Sequence, residues 1–272
     1  MTAPGGHRAS DAGRAGWRRA LENGWLVLAT PLLPALLAVL PRAAGGWGAW
    51  LLPLLAPATV YPAFARRVRE RDYFAGWLLG LAWALLLSVG VVLLVAFAPA
   101  GARAVILNGE PYRREMFGWI ATGVAPENSW QLFVPQHLSH LALFLLLTAA
   151  SGGYLGLVLG ATLVGYMSYF VGSFAVLCPH PVLAAIAAWV PWSVLRVLAF
   201  VLVGALFSRP LLVRRLWPFA RLELELMALA ASGLAADIVI KALSARGYGL
   251  LLRQMAHGAV GALYSGALRI PG

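Results

Sequence analysis

Charged side chains are scarce in this sequence of 272 residues: only 11% of its residues are Asp, Glu, Lys or Arg, whereas 61% are hydrophobic. Soluble globular domains carry about 25% charged residues, so a chain of this composition could not cover a surface that faces water. We therefore expect the chain to lie in a lipid bilayer. Every backbone polar group in lipid must be paired internally, so only helices or closed barrels can span it.

Alternating polarity is also missing. The strands of membrane barrels alternate apolar and polar residues over about ten positions between turns, but this sequence contains long unbroken apolar runs. It therefore predicts an all-α fold, a polytopic transmembrane helical bundle of about six to seven spans.

Cysteine and complete catalytic motifs are scarce as well. Cys178 is the single cysteine, which excludes an intrachain disulfide framework. The sequence has no Gly-x-Ser-x-Gly, no HExxH and no phosphate-binding loop of the form GxxxxGK[ST], so no motif assigns a reaction class. A cleavable signal peptide is not expected either, because the first apolar run lacks a cleavage site and should be retained as a span.

The apolar runs divide the chain into three predicted parts. Residues 1–23 are expected to form a cytoplasmic N-terminal segment, residues 24–245 the transmembrane bundle, and residues 246–272 an amphipathic C-terminal tail. Within the bundle, the predicted apolar segments are 25–41, 47–65, 73–98, 137–177, 183–207 and 225–243. Prolines in the first two segments predict either kinked spans or a re-entrant pair, with spanning favoured.

The segment 137–177 is too long for one crossing, because a helix rises about 1.5 Å per residue and the bilayer core is about 30 Å thick. We expect two crossings joined by a tight turn between Ser151 and Gly160. Gly152, Gly156 and Gly160 recur every four residues, and this spacing favours close helix packing in lipid over a path for substrate.

Two arginine clusters predict the orientation. Arg66–Arg71 and Arg209–Arg221 should both face the cytoplasm, which requires that 137–177 cross twice. The N-terminus is then cytoplasmic, and the ordered loop of about residues 99–136 is outside. The run 225–243 is left open, since a full crossing would place basic residues outside; it could instead lie in the interface.

Candidate site residues collect on the predicted outer side. His137 and His140 share one helix face, and with His180 they form a candidate metal set, possible ligands for a divalent cation. Glu115, His137 and His140 form the candidate acid–base set. The alternative is that these histidines are interface residues, and the outer loop is either a functional lid or a structural plug.

Arg196 lies in the middle of a predicted span. A charge in that position is costly and usually faces the bundle interior, so we predict a contact with Asp237 that acts as a gate or a packing anchor. The alternative partner for Asp237 is Lys241, four residues later on the same helix. Trp119 in the outer loop is a further candidate for substrate contact or gating.

These patterns favour a multi-pass membrane protein that is a subunit of a membrane complex or a permease-like component. The alternative is a membrane-embedded enzyme with a metal or acid–base site at the outer mouth. The expected partners are the lipid bilayer and other membrane proteins or further copies of the chain. Nucleic acid is not expected, although the net charge is +11, because positive loops explain it. The preference for Arg over Lys and for Ala, Gly and Leu suggests a GC-rich bacterial genome, so the expected location of this multi-pass protein is the bacterial cytoplasmic (inner) membrane.

Overall fold

The computed structural model describes residues 24–40, 47–124, 129–214 and 218–256. These residues form helices joined by turns, with no strand among them. The all-α helical bundle is therefore confirmed. The predicted N-terminal segment 1–23 and the end of the predicted tail, residues 257–272, lie outside the described residues, as does Glu127 in the predicted outer loop.

Five helices are long and apolar enough to cross a membrane, and a bent pair makes a sixth candidate. The long helices are α4 (Tyr73–Phe97), α7 (Trp130–Ser151), α8 (Tyr154–Ala175), α10 (Pro191–Leu212) and α11 (Arg221–Met255). The bent pair is α2 (Gly48–Thr59) and α3 (Tyr61–Arg69), which meet at 45°. Pro57 and Pro62 flank the bend, and each removes a helical hydrogen bond there.

Shorter helices complete the fold: α1 (Trp25–Ala38), α5 (Pro99–Val105), α6 (Gly109–Thr122) and α9 (Pro181–Ala188). Helix α1 is a 3-10 helix as far as Leu32 and then α-helical. It runs beside α4, so closely that a methyl group on Gly90 would lie 2.4 Å from the carbonyl oxygen of Pro31. The glycine therefore permits this contact.

The turn between α7 and α8 is short, as predicted. Helix α7 ends at Ser151 and α8 begins at Tyr154, and the two connecting glycines, Gly152 and Gly153, have φ of 62° and 97°. Residues with a side chain rarely adopt this left-handed conformation, so the two glycines allow the chain to reverse within two residues. The segment predicted over 137–177 therefore holds two antiparallel helices.

The two arginine clusters lie at the same end of the bundle, which we call the basic side. The end of α10 contacts both α3 and α7, and a methyl group on Gly152 would lie 3.2 Å from Leu212. Helices α5, α6 and α9 lie at the opposite side. This arrangement agrees with the double crossing on which the predicted orientation depends.

Helix α11 contains the run left open over 225–243, extends along the whole bundle and is long and apolar enough to cross a membrane. It begins on the basic side, where Arg209 pairs with Glu223. Near its other end, Tyr248 donates a hydrogen bond to Ala187 of α9, at 2.8 Å. Its 35 residues extend roughly 52 Å, so the helix is longer than the bilayer core and continues past the predicted boundary at residue 246.

The predicted outer loop is more helical than its polarity suggests. It contains α5 and α6, and α7 begins at Trp130, about two turns before the predicted start of the span at residue 137. Gln131 and Gln136 lower the hydropathy of these first turns, although they continue the same helix. As a result, His137 lies in the second turn of α7 and not at its start.

Candidate functional site

A narrow cavity of about 120 Å³ runs between α4, α7, α8 and α10; we call it the crevice. Most of its polar side chains are at the end near α6, on the opposite side from the arginine clusters: Tyr112, Glu115, Gln136, His137, His140, Tyr166, Ser193 and Arg196. Thr148 is a further polar residue of the wall and lies toward the basic side. The rest of its wall is mostly aromatic, aliphatic and glycine, from Trp83 and Leu163 in the middle to Phe64 and Gly153 near the basic side. The crevice therefore has one polar end and a long apolar part.

The aromatic rings of α7 and α10 hold one wall of the crevice. Phe144 and Phe200 stack with ring centroids 5.0 Å apart. Gly204 of α10 allows this approach, because a methyl group there would lie 3.1 Å from the Phe144 ring. Opposite them, the indole of Trp83 donates a hydrogen bond to the carbonyl oxygen of Ala56, at 3.1 Å, which satisfies its polar atom within the apolar part.

Arg196 and Asp237 form a two-bond ion pair that joins α10 to α11. Nε of Arg196 is 2.9 Å from Oδ2 of Asp237, and an Nη atom is 3.0 Å from Oδ1. Asp237 is only 1% exposed. Bidentate pairs of this kind are the strong, geometrically specific form of the arginine–carboxylate interaction. The predicted contact between these residues is therefore present, while its proposed role as a gate stays a prediction.

His137 lies against this ion pair. Its Nδ1 is 2.7 Å from the carbonyl oxygen of Phe133, and since a carbonyl can only accept, Nδ1 carries a hydrogen. Its Nε2 is 3.7 Å from Oδ2 of Asp237. This atom is buried and has no hydrogen-bond partner among the described residues. In the neutral ring, Nε2 therefore presents a lone pair toward a carboxylate oxygen.

Lys241 adds a second buried cation. It follows Asp237 by one helical turn, is 2% exposed, and its Nζ lies 4.4 Å from the centroid of the Phe133 ring. The same ring packs against the imidazole of His137, with centroids 5.5 Å apart. The spacing to Asp237 predicts a pair on the helix surface, whereas Lys241 is buried. Its burial depends on the helices packed around α11, which no local pattern indicates.

Besides Arg196 and Asp237, which form the ion pair described above, three of the predicted site residues come together and two do not. Glu115, His137 and His140 all line the polar end of the crevice. His180 instead precedes α9 in an exposed position. Trp119 is 1% exposed and packs edge-on against Trp192, at 6.1 Å between centroids, beside a second cavity between α6 and α11.

The predicted metal set lacks support from the geometry. Across the four described ranges, no group of three or more His, Cys, Asp and Glu side chains is close enough to hold a metal ion. His137 and His140 therefore have no third ligand there, and metal binding by these histidines and His180 stays a prediction. Tyr112, Gln136 and Ser193 were not predicted, because single polar residues near the ends of apolar helices are common and carry no distinguishing pattern.

Helix α6 is anchored over the polar end by Glu110. Its carboxylate accepts hydrogen bonds from Arg113 on the same helix and from the hydroxyl of Tyr169 on α8, the latter at 3.1 Å. Burial by itself favours the neutral acid, but the bond and charge of Arg113 outweigh it and hold the pKa of Glu110 below its usual value. The next residue but one, Tyr112, packs against Tyr166 with centroids 4.6 Å apart.

No family model, curated protein or solved structure matches this chain. Its function is therefore argued from the geometry of the crevice.

Proposed function

We propose that this multi-pass membrane protein binds an elongated amphipathic molecule in the crevice and acts as a permease-like component for it. The observation that carries the proposal is the polarity of the crevice. Eight polar or charged residues lie at one end, near α6, while most of the remaining wall is aromatic, aliphatic or glycine. A ligand with a polar head and an apolar chain matches both parts at once.

The apolar part argues against a path for ions. Its wall includes Trp83, Phe144, Leu163 and Phe200, and apolar constrictions of this kind lose their water and block hydrated ions. An alkyl chain, by contrast, has no polar group that such a wall would leave without a partner. We therefore infer a lipid-like ligand and not a small hydrophilic solute.

The surroundings of the crevice also favour a ligand from the bilayer. Helix α7 forms one wall, and only 17% of the most apolar part of this helix is buried inside the protein. Much of this helix is therefore left uncovered by the rest of the chain, where lipid could reach the crevice. We propose the bacterial inner membrane as the location, on the compositional argument, and the cytoplasm as the compartment at the basic side.

Filling the crevice tests the proposal. Gly160 lines the apolar part, and a methyl group there would have Trp83 as its nearest neighbour at 4.0 Å, so Gly160→Leu should fold and place its side chain in the cavity. Gly247→Leu is the matched control, because Gly247 is an exposed helical glycine with nothing within 4 Å of an added methyl group. The measurement is binding of a pyrene-labelled dodecyl probe to protein in phosphatidylcholine nanodiscs.

We expect Gly160→Leu to weaken binding at least tenfold, a loss of about 1.4 kcal/mol, and Gly247→Leu to bind as the wild type does. Equal affinity in all three proteins would place the ligand elsewhere. Absence of binding by the wild type would overturn the proposal.

A second candidate is an enzyme that performs acid–base chemistry on the head of the same ligand. The observation in its favour is that Glu115, His137 and His140 share the polar end of the crevice, where a carboxylate and imidazoles could transfer protons. Mass spectrometry of membrane lipids distinguishes the two functions. A lipid species altered by the wild type and unaltered by Glu115→Gln would favour the enzyme.

A further inference from the structure

Nε2 of His137 faces a carboxylate oxygen of Asp237 with no hydrogen between the two atoms when the imidazole is neutral. With Nδ1 of His137 donating to the carbonyl of Phe133 at 2.7 Å, the neutral ring directs the lone pair of Nε2 at Oδ2 of Asp237, 3.7 Å away. Two acceptors then face each other inside the bundle. A proton on Nε2 would turn this repulsive contact into a charge-assisted hydrogen bond, which is about 2.7–2.9 Å long.

We propose that the crevice takes up an anionic amphipath together with one proton, and that His137 is the proton site. This inference rests on the proposed function and names the chemical class of its ligand. The proton comes from water and binds Nε2 of His137, so no covalent bond of the ligand changes. The bound state then contains an imidazolium between the Asp237 carboxylate and the anionic head.

The charges around His137 explain why the anionic amphipath and the proton should bind together. On its own helix lies His140, and α10 contributes Arg196. Helix α11 contributes the buried Asp237 and Lys241, which lie behind the wall of the crevice. Helix α6 contributes Glu115, which lines the crevice with an exposed side chain. When the histidines are neutral, two cations balance two carboxylates. An anionic head alone would leave a net negative charge beside the buried carboxylate of Asp237, which is costly. A proton on His137 cancels that charge.

The same balance of charges opposes protonation of His137 when no ligand is bound. A cationic His137 would add a third positive charge beside Arg196 and Lys241. An anion in the crevice offsets this repulsion, so each ligand strengthens the binding of the other by the same factor. His140 differs from His137, because no carboxylate of the described residues lies within ion-pair distance of it.

The test compares two probes with the same pyrene-labelled dodecyl chain, one ending in a sulfonate and the other in an alcohol. The sulfonate stays anionic between about pH 5 and pH 8, so the probe itself does not titrate. Binding is measured to full-length protein in phosphatidylcholine nanodiscs. Calorimetry in buffers of different ionisation enthalpy counts the protons taken up for each probe bound.

For the wild type we expect uptake of about one proton with the sulfonate, and an affinity that rises by up to about tenfold per unit of falling pH. The alcohol should take up none and show no pH dependence. His137→Gln should bind the sulfonate more weakly, with no proton uptake. His140→Gln is the matched control and should keep the wild-type uptake.

Proton uptake that persists in His137→Gln, or that accompanies the alcohol equally, would overturn the inference while leaving the amphipath site intact. If both probes bind with equal affinity at every pH, the ligand is not selected for negative charge and the inference is also wrong. If neither probe binds the wild type, the proposed function fails and this inference fails with it.

Discussion

Buried ionised side chains in this bundle lie within sets of compensating groups. Asp237 is bonded to Arg196, and Lys241 lies over the ring of Phe133. On the basic side, Arg209 is 1% exposed and pairs with Glu223 at 3.0 Å. An isolated charge inside a membrane is expensive, and removing one partner of a buried pair commonly costs 3–5 kcal/mol. These pairs therefore constrain how the helices that carry them pack.

Glu110 makes a pH-dependent contribution to stability. Its pKa is lowered in the folded protein, so its contribution is fully present above the ordinary carboxyl pKa and is lost as the pH falls through the lowered value. We expect thermal stability in detergent to fall more for the wild type than for Glu110→Gln between about pH 6 and pH 3. At neutral pH, Glu110→Gln should lower the free energy of unfolding by about 1–2 kcal/mol.

Glu225→Gln is the matched control for this prediction. Glu225 pairs with Arg221 at 3.0 Å, but both side chains are well exposed, and exposed pairs contribute little. Its pH profile should follow that of the wild type. A Glu110→Gln profile that also follows the wild type would show that Arg113 and Tyr169 do not stabilise the carboxylate.

At the scale of helices, close packing depends on a few glycines at specific contacts. Gly90 accommodates the carbonyl of Pro31, Gly172 accommodates Val95, and Gly153 accommodates Ser208. In lipid, helices associate through van der Waals packing and hydrogen bonds because the solvent is as apolar as their side chains. Each of these glycines lets two elements approach until such contacts form.

The turn between α7 and α8 offers a direct test of this packing. A methyl group on Gly153 would lie 2.4 Å from the hydroxyl oxygen of Ser208 and 3.0 Å from the Phe64 ring, and its φ is 97°. We expect Gly153→Ala to destabilise the protein by about 2–4 kcal/mol, from the left-handed backbone and the overlap together. Unfolding by dodecyl sulfate titration measures this loss.

Gly123→Ala separates the two causes. Gly123 also has a positive φ, 70°, but a methyl group there would have nothing within 4 Å. The substitution should lower the free energy of unfolding by about 1 kcal/mol, from the left-handed backbone alone. If the two variants lose equal stability, the contact with Ser208 contributes nothing and the tight turn alone explains the cost.

At the scale of the whole molecule, the even number of crossings between the two arginine clusters determines which ends share a compartment. Helices α4, α7, α8 and α10 connect them, so both lie on one side, while α11 carries the chain back to the other. The basic side should be cytoplasmic, because positively charged loops are retained there. Lys241 does not oppose this orientation, since it is buried inside the bundle.

Single-cysteine labelling tests the topology. Glu70→Cys and Arg221→Cys place exposed thiols on the basic side, and Val124→Cys and Arg253→Cys place them on the opposite side. If the protein lies in a bacterial inner membrane, as proposed, a membrane-impermeant maleimide should label the second pair in cells whose outer membrane has been permeabilised. The first pair should be labelled only after the inner membrane is opened. Labelling of Arg221→Cys and Arg253→Cys from the same side would show that α11 does not cross.

The native protein provides the background for this measurement. Cys178 is 9% exposed, and burial raises the pKa of its thiol. Because the thiolate is the reactive form, the wild type should label weakly under both conditions.

Much of the fold follows from composition and local pattern. Scarce charge and long apolar runs require spanning helices, because lipid offers no partner for unpaired backbone groups. The excess length of 137–177 required a turn, and the adjacent Gly152 and Gly153 allow it. The histidines at positions 137 and 140 and Glu115 could be chosen as site residues because ionisable groups near membrane helices are costly and usually have a role.

The tertiary structure decided what these residues face. Arg196 and Asp237 are 41 positions apart, and their bond exists because α10 packs along α11, which depends on the shapes of many side chains at once. The same packing buries Lys241, brings Nε2 of His137 toward Asp237, and leaves His180 apart from the other histidines. The sequence by itself determined a helical membrane protein with candidate polar residues; only the packing of its helices produced a crevice with one polar end.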